Sequence, residues 1–241
     1  MKLHKVIYLT EDLFFVNSTP LFLTLTRKIC FTSVNHLTNR KVETTFKAFK
    51  EIYSYYINRG FHITTLHAYG EFSPLQAMVY EHMPGGPMIN LTIANEHLPY
   101  IERQIRVVKE RTRSVRHRLT FNKTTKLITI YIVFTVVMML NYFPFKGGVS
   151  AILSTNTINN GEKLHYKRHL GINIGQYCQV HEYEDPSKSQ LPQTKGAIFL
   201  GPSVNGQGGF LFMSLNLEKI SPEGVGTPYQ FMTLSYTTST S

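Results

Sequence analysis

Residues 99–119 read PYIERQIRVVKERTRSVRHRL. Pro99 suits the first position of a helix, where its missing N–H has no intrahelical partner to lose. Ile101, Ile105, Val108, Thr112, Val115 and Leu119 then recur at alternating four- and three-residue steps, which lays one narrow apolar seam along a helix. Off that seam stand Arg103, Arg106, Lys109, Arg111, Arg113, Arg116 and Arg118. Only Glu102 and Glu110 oppose these seven cations between residues 100 and 118. Arg103, Arg106, Arg113 and Arg116 fall on neighbouring turns, so several guanidinium groups can follow a phosphate backbone together. A solvated helix face is the plainer reading of any charge run; here the imbalance favours nucleic-acid contact.

Working upstream, Lys5–Val16, Leu21–Thr26 and Ile29–Val34 are rich in β-branched and aromatic residues, and Asn17–Pro20 (NSTP) is turn chemistry. Three strands in a meander are expected. Val42–Arg59 changes period: Phe46, Phe49, Ile52, Tyr53 and Tyr56 recur at helical spacing and Gly60 stops the run. Phe61–His67 predicts a short buried strand, Ser73–His82 a helix with Pro74 near its start, and Met88–Ala94 a fifth strand after the break at Met83–Pro87. The order strand–strand–strand–helix–strand–helix–strand–helix makes an α/β protein, a mixed sheet with flanking helices. That order is the RNase H-like one, though other α/β folds share it.

Downstream, Leu127–Phe143 is almost wholly apolar over 17 residues. That is near the lower limit for a membrane span, and residues 100–126 before it hold nine basic and two acidic side chains, a flank that suits positive-inside orientation. A core helix packed on the sheet is the reading preferred, with membrane association unfavoured; a single-pass membrane protein using residues 127–143 is the alternative. After Gly147–Gly148 the composition becomes polar and turn-rich. Short strands are expected at Ile172–Tyr183, Gly196–Gly201 and Gly209–Leu217, enough for a small β-barrel-like module. The expected division is a core over residues 1–147, a linker over 148–171, the small β module over 172–220 and a flexible tail over 221–241.

Composition bounds the function. The chain has 241 residues, is 42% hydrophobic and 12% aromatic, and carries a net charge of +10. It can bury a sizeable core, and its charge suits a polyanion or an anionic surface, although an ordinary basic soluble protein has the same balance. Cys30 and Cys178 are the two cysteines, too few for a disulfide framework or a CxxC-type zinc site. A reduced intracellular setting, nuclear or cytoplasmic, is expected. The start, MKLHKVIYLTEDLFF, carries acids in its apolar stretch and does not read as a signal peptide.

The acids are spaced in a way that matters for this fold. An RNase H-like nuclease or integrase gathers carboxylates from the first strand, the fourth strand and the last helix, and holds two divalent ions about 3.5–4 Å apart. Asp12 lies in the first strand run and Glu102 at the start of the basic helix. The fourth strand ends His67-Ala68-Tyr69-Gly70-Glu71-Phe72, with Tyr69 where a second carboxylate is wanted. Glu71 shares that face only if the strand continues past Gly70.

Six blocks carry a resemblance: EDLFFVN (11–17), HAYGEF (67–72), NLTIANEHLPYIERQIRVVKERTRSVRH (90–117), FPFKGGVSAILS (143–154), GEKLHYKRH (161–169) and TKGAIFLGPSVNGQGGFLFMSL (194–215). With them the chain resembles copia-type retrotransposon integrases over nearly its whole length. The resemblance implies that Asp12 is the first catalytic aspartate and Glu102 the catalytic glutamate, both metal ligands for Mg2+ (or Mn2+) in an active enzyme. The family reads His-Ala-Asp at the fourth strand, so Tyr69 replaces the second aspartate; Tyr69 and Glu102 are 33 residues apart, which keeps the register. A neutral phenol with an ordinary pKa near ~10 is a poor ligand for a hard cation. The implied activity is polynucleotidyl transfer, meaning 3′-processing and strand transfer on element ends and target DNA, with impaired turnover in this copy. DNA is the implied partner, gripped by Arg103, Arg106, Lys109, Arg113 and Arg116, with no small-molecule substrate and a homo-oligomer possible. The family's zinc module of paired His and Cys is not visible, since His4, His36 and His62 have no matching cysteines, so a fragment or degraded copy beginning at the catalytic core is expected. A non-catalytic DNA-binding remnant is the alternative.

Two lesser features complete the reading. Gly201–Gly209 (GPSVNGQGG) lacks the Lys-Ser/Thr of a phosphate loop and reads as a hairpin turn. His165, Lys167, Arg168 and His169 form a basic cluster, either a phosphate contact or an exposed loop.

Overall fold

The computed structural model describes residues 5–92, 97–181, 194–203, 209–215 and 232–234. Strands β1 (Val6–Val16) and β2 (Thr19–Thr26) pair antiparallel with Val16 opposite Thr19. The two residues left between them, Asn17 and Ser18, have φ of 47° and 61°. Positive φ at both positions is the hairpin turn whose twist matches the flanking strands. β3 (Thr32–His36) pairs antiparallel with β2. It begins later than the expected Ile29 because residues 27–30 form a turn: the Cys30 N–H donates to Thr26 O (2.9 Å), the Thr26 N–H to Phe31 O (3.0 Å), and the Phe31 N–H to the Thr26 hydroxyl (2.8 Å).

Helix α1 (Val42–Ile57) follows, then β4 (His62–Tyr69), helix α2 (Ser73–His82), β5 (Met88–Thr92) and helix α3 (Pro99–His117). Both β4 and β5 are added parallel, giving the sheet order β3-β2-β1-β4-β5. Alternation along β1 assigns its two faces. Ile7 and Leu9 join Phe22, Phe49, Ile52, Tyr56, Leu66, Ala68, Leu75 and Val79 in the main core, the layer of α1 and α2. Phe49, Ile52 and Tyr56 of α1 are buried there, and Phe49 and Ile52 are each worth roughly 1.5–3 kcal/mol on the usual scale for large apolar side chains. The opposite face carries Thr10, Asp12 and Phe14, paired with Leu25, Leu23 and Leu21 of β2. It meets α3, whose Gln104 amide donates to the Thr32 hydroxyl at 2.9 Å and whose Lys109 lies over the Phe14 ring. A mixed five-stranded sheet of this order with helices on its faces is the RNase H-like fold.

Two compact units make up the chain, residues 1–117 with 133–163 and residues 118–132 with 164–241. Helix α4 (Lys126–Asn141) contributes residues to both. α4 is 16 residues long, about 24 Å at the usual rise. Among the described residues no helix is long and apolar enough to cross a membrane. The expected linker is not irregular throughout. α5 (Thr155–Asn160) is capped by Ser154, whose hydroxyl accepts the Thr157 N–H at 3.1 Å, and closed by Gly161 at φ 73°. The Asn159 amide donates to the Tyr55 hydroxyl at 2.9 Å, and the Arg59 Nε to Asn160 Oδ1 at 2.9 Å, fixing α5 to α1.

The second unit contains the short helix α6 (Tyr166–Leu170) and a small antiparallel sheet, β6 (Tyr177–His181), β7 (Thr194–Pro202), β8 (Phe210–Ser214) and β9 (Met232–Leu234) in that spatial order. Val180, Ala197, Phe199 and Phe212 form its core, with Phe199 edge-on to both Phe210 and Phe212. Gly175 precedes β6 at φ 81°, and a Cβ there would stand 2.3 Å from Leu119 Cδ2, so this position needs glycine. β7 and β8 pair around residues 203–209, where the hairpin is expected; 204–208 lie outside the described residues. So do residues 93–94 of the expected fifth strand, 182–183 of the sixth, 216–217 of the last and most of 221–241.

Candidate active site and nucleic-acid interface

The site is built where β1, β4 and α3 end together. Thr10 of β1 is in register with His67 of the parallel β4, so two residues further along each strand come Asp12 and Tyr69 on the same face. Tyr69 is the last residue of β4, and Gly70–Phe72 turns away as a 3-10 segment. The strand therefore does not continue to Glu71, which is exposed. α3 brings Glu102 in its first turn, a position where a carboxylate is favoured by the helix dipole.

Two of the three side chains are bonded to each other. The Tyr69 hydroxyl donates to Glu102 Oε1 and accepts the Leu98 N–H at 3.1 Å. His97 Nδ1 is 3.2 Å from the same Glu102 oxygen. Tyr69, then His97, hold the Glu102 carboxyl below its usual pKa by these hydrogen bonds. Burial and the bond to Glu102 push the Tyr69 phenol up to about 12, so it stays protonated at any physiological pH. Asp12 accepts the Leu13 N–H at 2.7 Å, yet burial, aided by the charges of Glu71 and Glu102, raises it to about 6, with Lys109 opposing. Asp12 and Glu102 thus sit close enough to feel each other's charge, and the phenol is bonded to Glu102.

This donor set does not fit a pair of divalent ions. Two ions bridged by carboxylates need acceptors that are anionic and free. Here Glu102 Oε1 already accepts the hydrogen bond of the Tyr69 phenol, and the third seat is uncharged. Among the described residues no group of three or more His, Cys, Asp or Glu side chains is arranged to hold a metal ion.

The basic face of α3 is open. Arg103, Arg106, Lys109, Arg113 and Arg116 are all exposed, while Ile101, Gln104, Ile105, Val108 and Thr112 are buried. No carboxylate lies within ion-pair distance of those five cations among the described residues. In the other basic cluster His165 and Lys167 are exposed, whereas His169 is buried and its Nδ1 accepts the His165 N–H at 2.9 Å.

Three features at and around the site were not legible in the sequence. His97 precedes the helix and has no motif of its own. Arg27 opens the turn after β2 and reaches the α3 side, with its guanidinium 4.7 Å from the Tyr100 ring centre. Glu11 neighbours Asp12 but faces away from the site. It is fully buried opposite Thr24, and neither of its carboxyl oxygens has a hydrogen-bond partner among the described residues.

The chain thus has an RNase H-like fold, with Tyr69 at the end of β4 bonded to Glu102 at the start of α3. Among solved structures, the catalytic core domain of BIV integrase is similar at 13% identity and a TM-score of 0.47, over 63% of this chain and 92% of that one. No protein-family model matches the sequence, nor does any curated protein.

Proposed function

We propose that the chain is an integrase-like DNA-binding protein of the kind its copia-type sequence blocks resemble, with its polynucleotidyl-transferase site impaired by Tyr69. The observation that carries this is the hydrogen bond from the Tyr69 hydroxyl to Glu102. It supports the alignment of Tyr69 with the missing second aspartate, because the phenol stands on the right strand end and engages the third acid. It also gives the physical reason for poor turnover: an uncharged group takes up a position where Mg2+ or Mn2+ chemistry needs a carboxylate. The open cationic face of α3 supports retention of DNA binding, since phosphate contacts need neither metal nor an intact acid triad.

The test is strand transfer and nicking of duplex DNA with Mg2+ or Mn2+, by the native chain and by Tyr69→Asp. The expected result is no turnover by the native chain and measurable turnover by Tyr69→Asp, lost again when Glu102→Gln is added. Efficient transfer by the native chain would overturn the impairment. Inactivity of both, with salt-sensitive duplex binding retained, favours the second reading, a DNA-binding remnant whose site has decayed beyond one substitution. Absence of any DNA binding by the folded chain would end both.

A further inference from the structure

α3 covers only part of its side of the sheet. Over β2 and the C-terminal end of β1 that face is sealed, with Phe14, Leu21, Leu23 and Leu25 buried. Over β4 and β5 it is not. The register sets residues there in rows: Tyr8, Thr65 and Met88 in one, Thr10, His67 and Asn90 in the next. Thr10 is buried, but Tyr8, Thr65 and His67 are only half-buried, Asn90 is exposed and Met88 is 61% exposed. Their neighbours in sequence on the other face, Ile7, Leu9, Leu66 and Ile89, are all core. The open face is therefore a property of one side of these strands and does not reflect a loose sheet.

Its rim is cationic and aromatic. Lys28 Nζ lies 5.6 Å from the Tyr8 ring centre, and Arg27 lies over Tyr100, whose side chain is 62% exposed on the first turn of α3. Arg27 and Lys28 are both exposed and have no carboxylate within ion-pair distance among the described residues. Flat rings beside free cations are what a flexible polyanion with unstacked bases recognises: bases stack on aromatic faces while phosphates meet the cations. A duplex keeps its bases stacked inside and gains nothing from such rings. The two rows also lead along β1 and β4 directly to the Asp12–Tyr69–Glu102 corner, about 7 Å per pair of residues.

We infer that the uncovered β1–β4–β5 face, rimmed by Arg27, Lys28 and Tyr100, is a stacking platform for single-stranded DNA that leads to the acidic corner. This rests on the reading of the chain as a DNA-binding protein, and it adds a second mode of contact, distinct from the arginine face of α3.

The test measures binding of the full chain to an oligothymidylate and to a duplex of similar length by fluorescence anisotropy at low salt. Tyr100→Ala and His67→Ala remove rings without removing a fixed cation. Each is expected to weaken oligothymidylate binding by roughly tenfold, the loss of about one stacked base, and to leave duplex binding within about twofold. Photocrosslinking of an iodouracil-substituted strand to the unmodified chain, read by mass spectrometry, is expected to label Tyr8 or Tyr100 and needs no variant to fold. Oligothymidylate affinity unchanged in both variants, or crosslinks confined to residues 103–116, would overturn the platform while leaving duplex binding, and so the proposed function, intact. Tighter binding of oligouridylate than of oligothymidylate would overturn the assignment to DNA. Failure of the native chain to bind either DNA form would remove the functional reading and the platform with it.

Discussion

Glu11 and Asp12 are adjacent on β1 and face opposite ways, and both are pushed toward the neutral acid mainly by burial. For Asp12 the consequence can be signed. Its carboxyl titrates at about 6 in the folded chain against an ordinary 3.8. Between those values the folded state binds more protons than the unfolded one, so stability falls as pH rises through that window and stays reduced above it. Asp12→Asn removes the penalty. At neutral to mildly alkaline pH it should stabilise by about 1–2 kcal/mol after discounting partial exposure, or roughly 3–6 °C in melting temperature, with the gain vanishing near pH ~4. Calorimetry of both chains at the two pH values decides it; an equal gain at both would show that charge burial is not the cause. At this scale the sequence placed Asp12 and Tyr69 on strands and Glu102 at a helix start, because strand and helix positions follow from periodicity. It did not reveal that Tyr69 bonds Glu102 or that His97 joins them, because side-chain contacts between distant segments leave no local pattern.

Elements show the same division. α1 and α2 begin where periodicity and Pro74 place them, and the β1–β2 turn falls on NSTP, since each depends on residues a few positions apart. The expected connector contained α5, whose sequence TNTINN has no apolar period; its helix depends on the Ser154 cap and on bonds to α1, partners about 100 positions away. The edge of the sheet is held in a similarly non-local way. β3 is an edge strand, and the Asn141 side chain completes its ladder: Oδ1 accepts the Thr32 N–H at 3.0 Å while Nδ2 donates to Thr32 O at 2.7 Å. Thr155 adds its hydroxyl to the same Asn141 oxygen at 3.2 Å. Asn141→Ala leaves a buried donor and acceptor unpaired, which costs about 1–3 kcal/mol for each unsatisfied group. The expected outcome is a lower denaturation midpoint together with faster amide exchange at Thr32. Unchanged exchange there would mean that another group satisfies the strand edge.

For the whole molecule the leading quantity is charge. A net +10 could arise from cations scattered evenly, which would bind polyanions weakly and without a preferred surface. Instead five exposed cations lie along one helix beside the half-open sheet face, with no ion pair to neutralise them among the described residues. Five phosphate contacts would release counterions so that log affinity falls against log salt with a slope near about −4 to −5. Replacing Arg113 and Arg116 by Gln should lower that slope by about 2 and weaken duplex binding to a similar degree on unrelated sequences, because phosphates carry no base identity. These two arginines lie beyond the turns nearest Glu102, so their loss should leave the acidic corner and its bond to Tyr69 undisturbed. Anisotropy titrations over a range of salt concentrations measure the slope directly. A slope unaltered by the double substitution would place the DNA contacts elsewhere in the chain, and the arginine face of α3 would then be the solvated surface that most charge runs are.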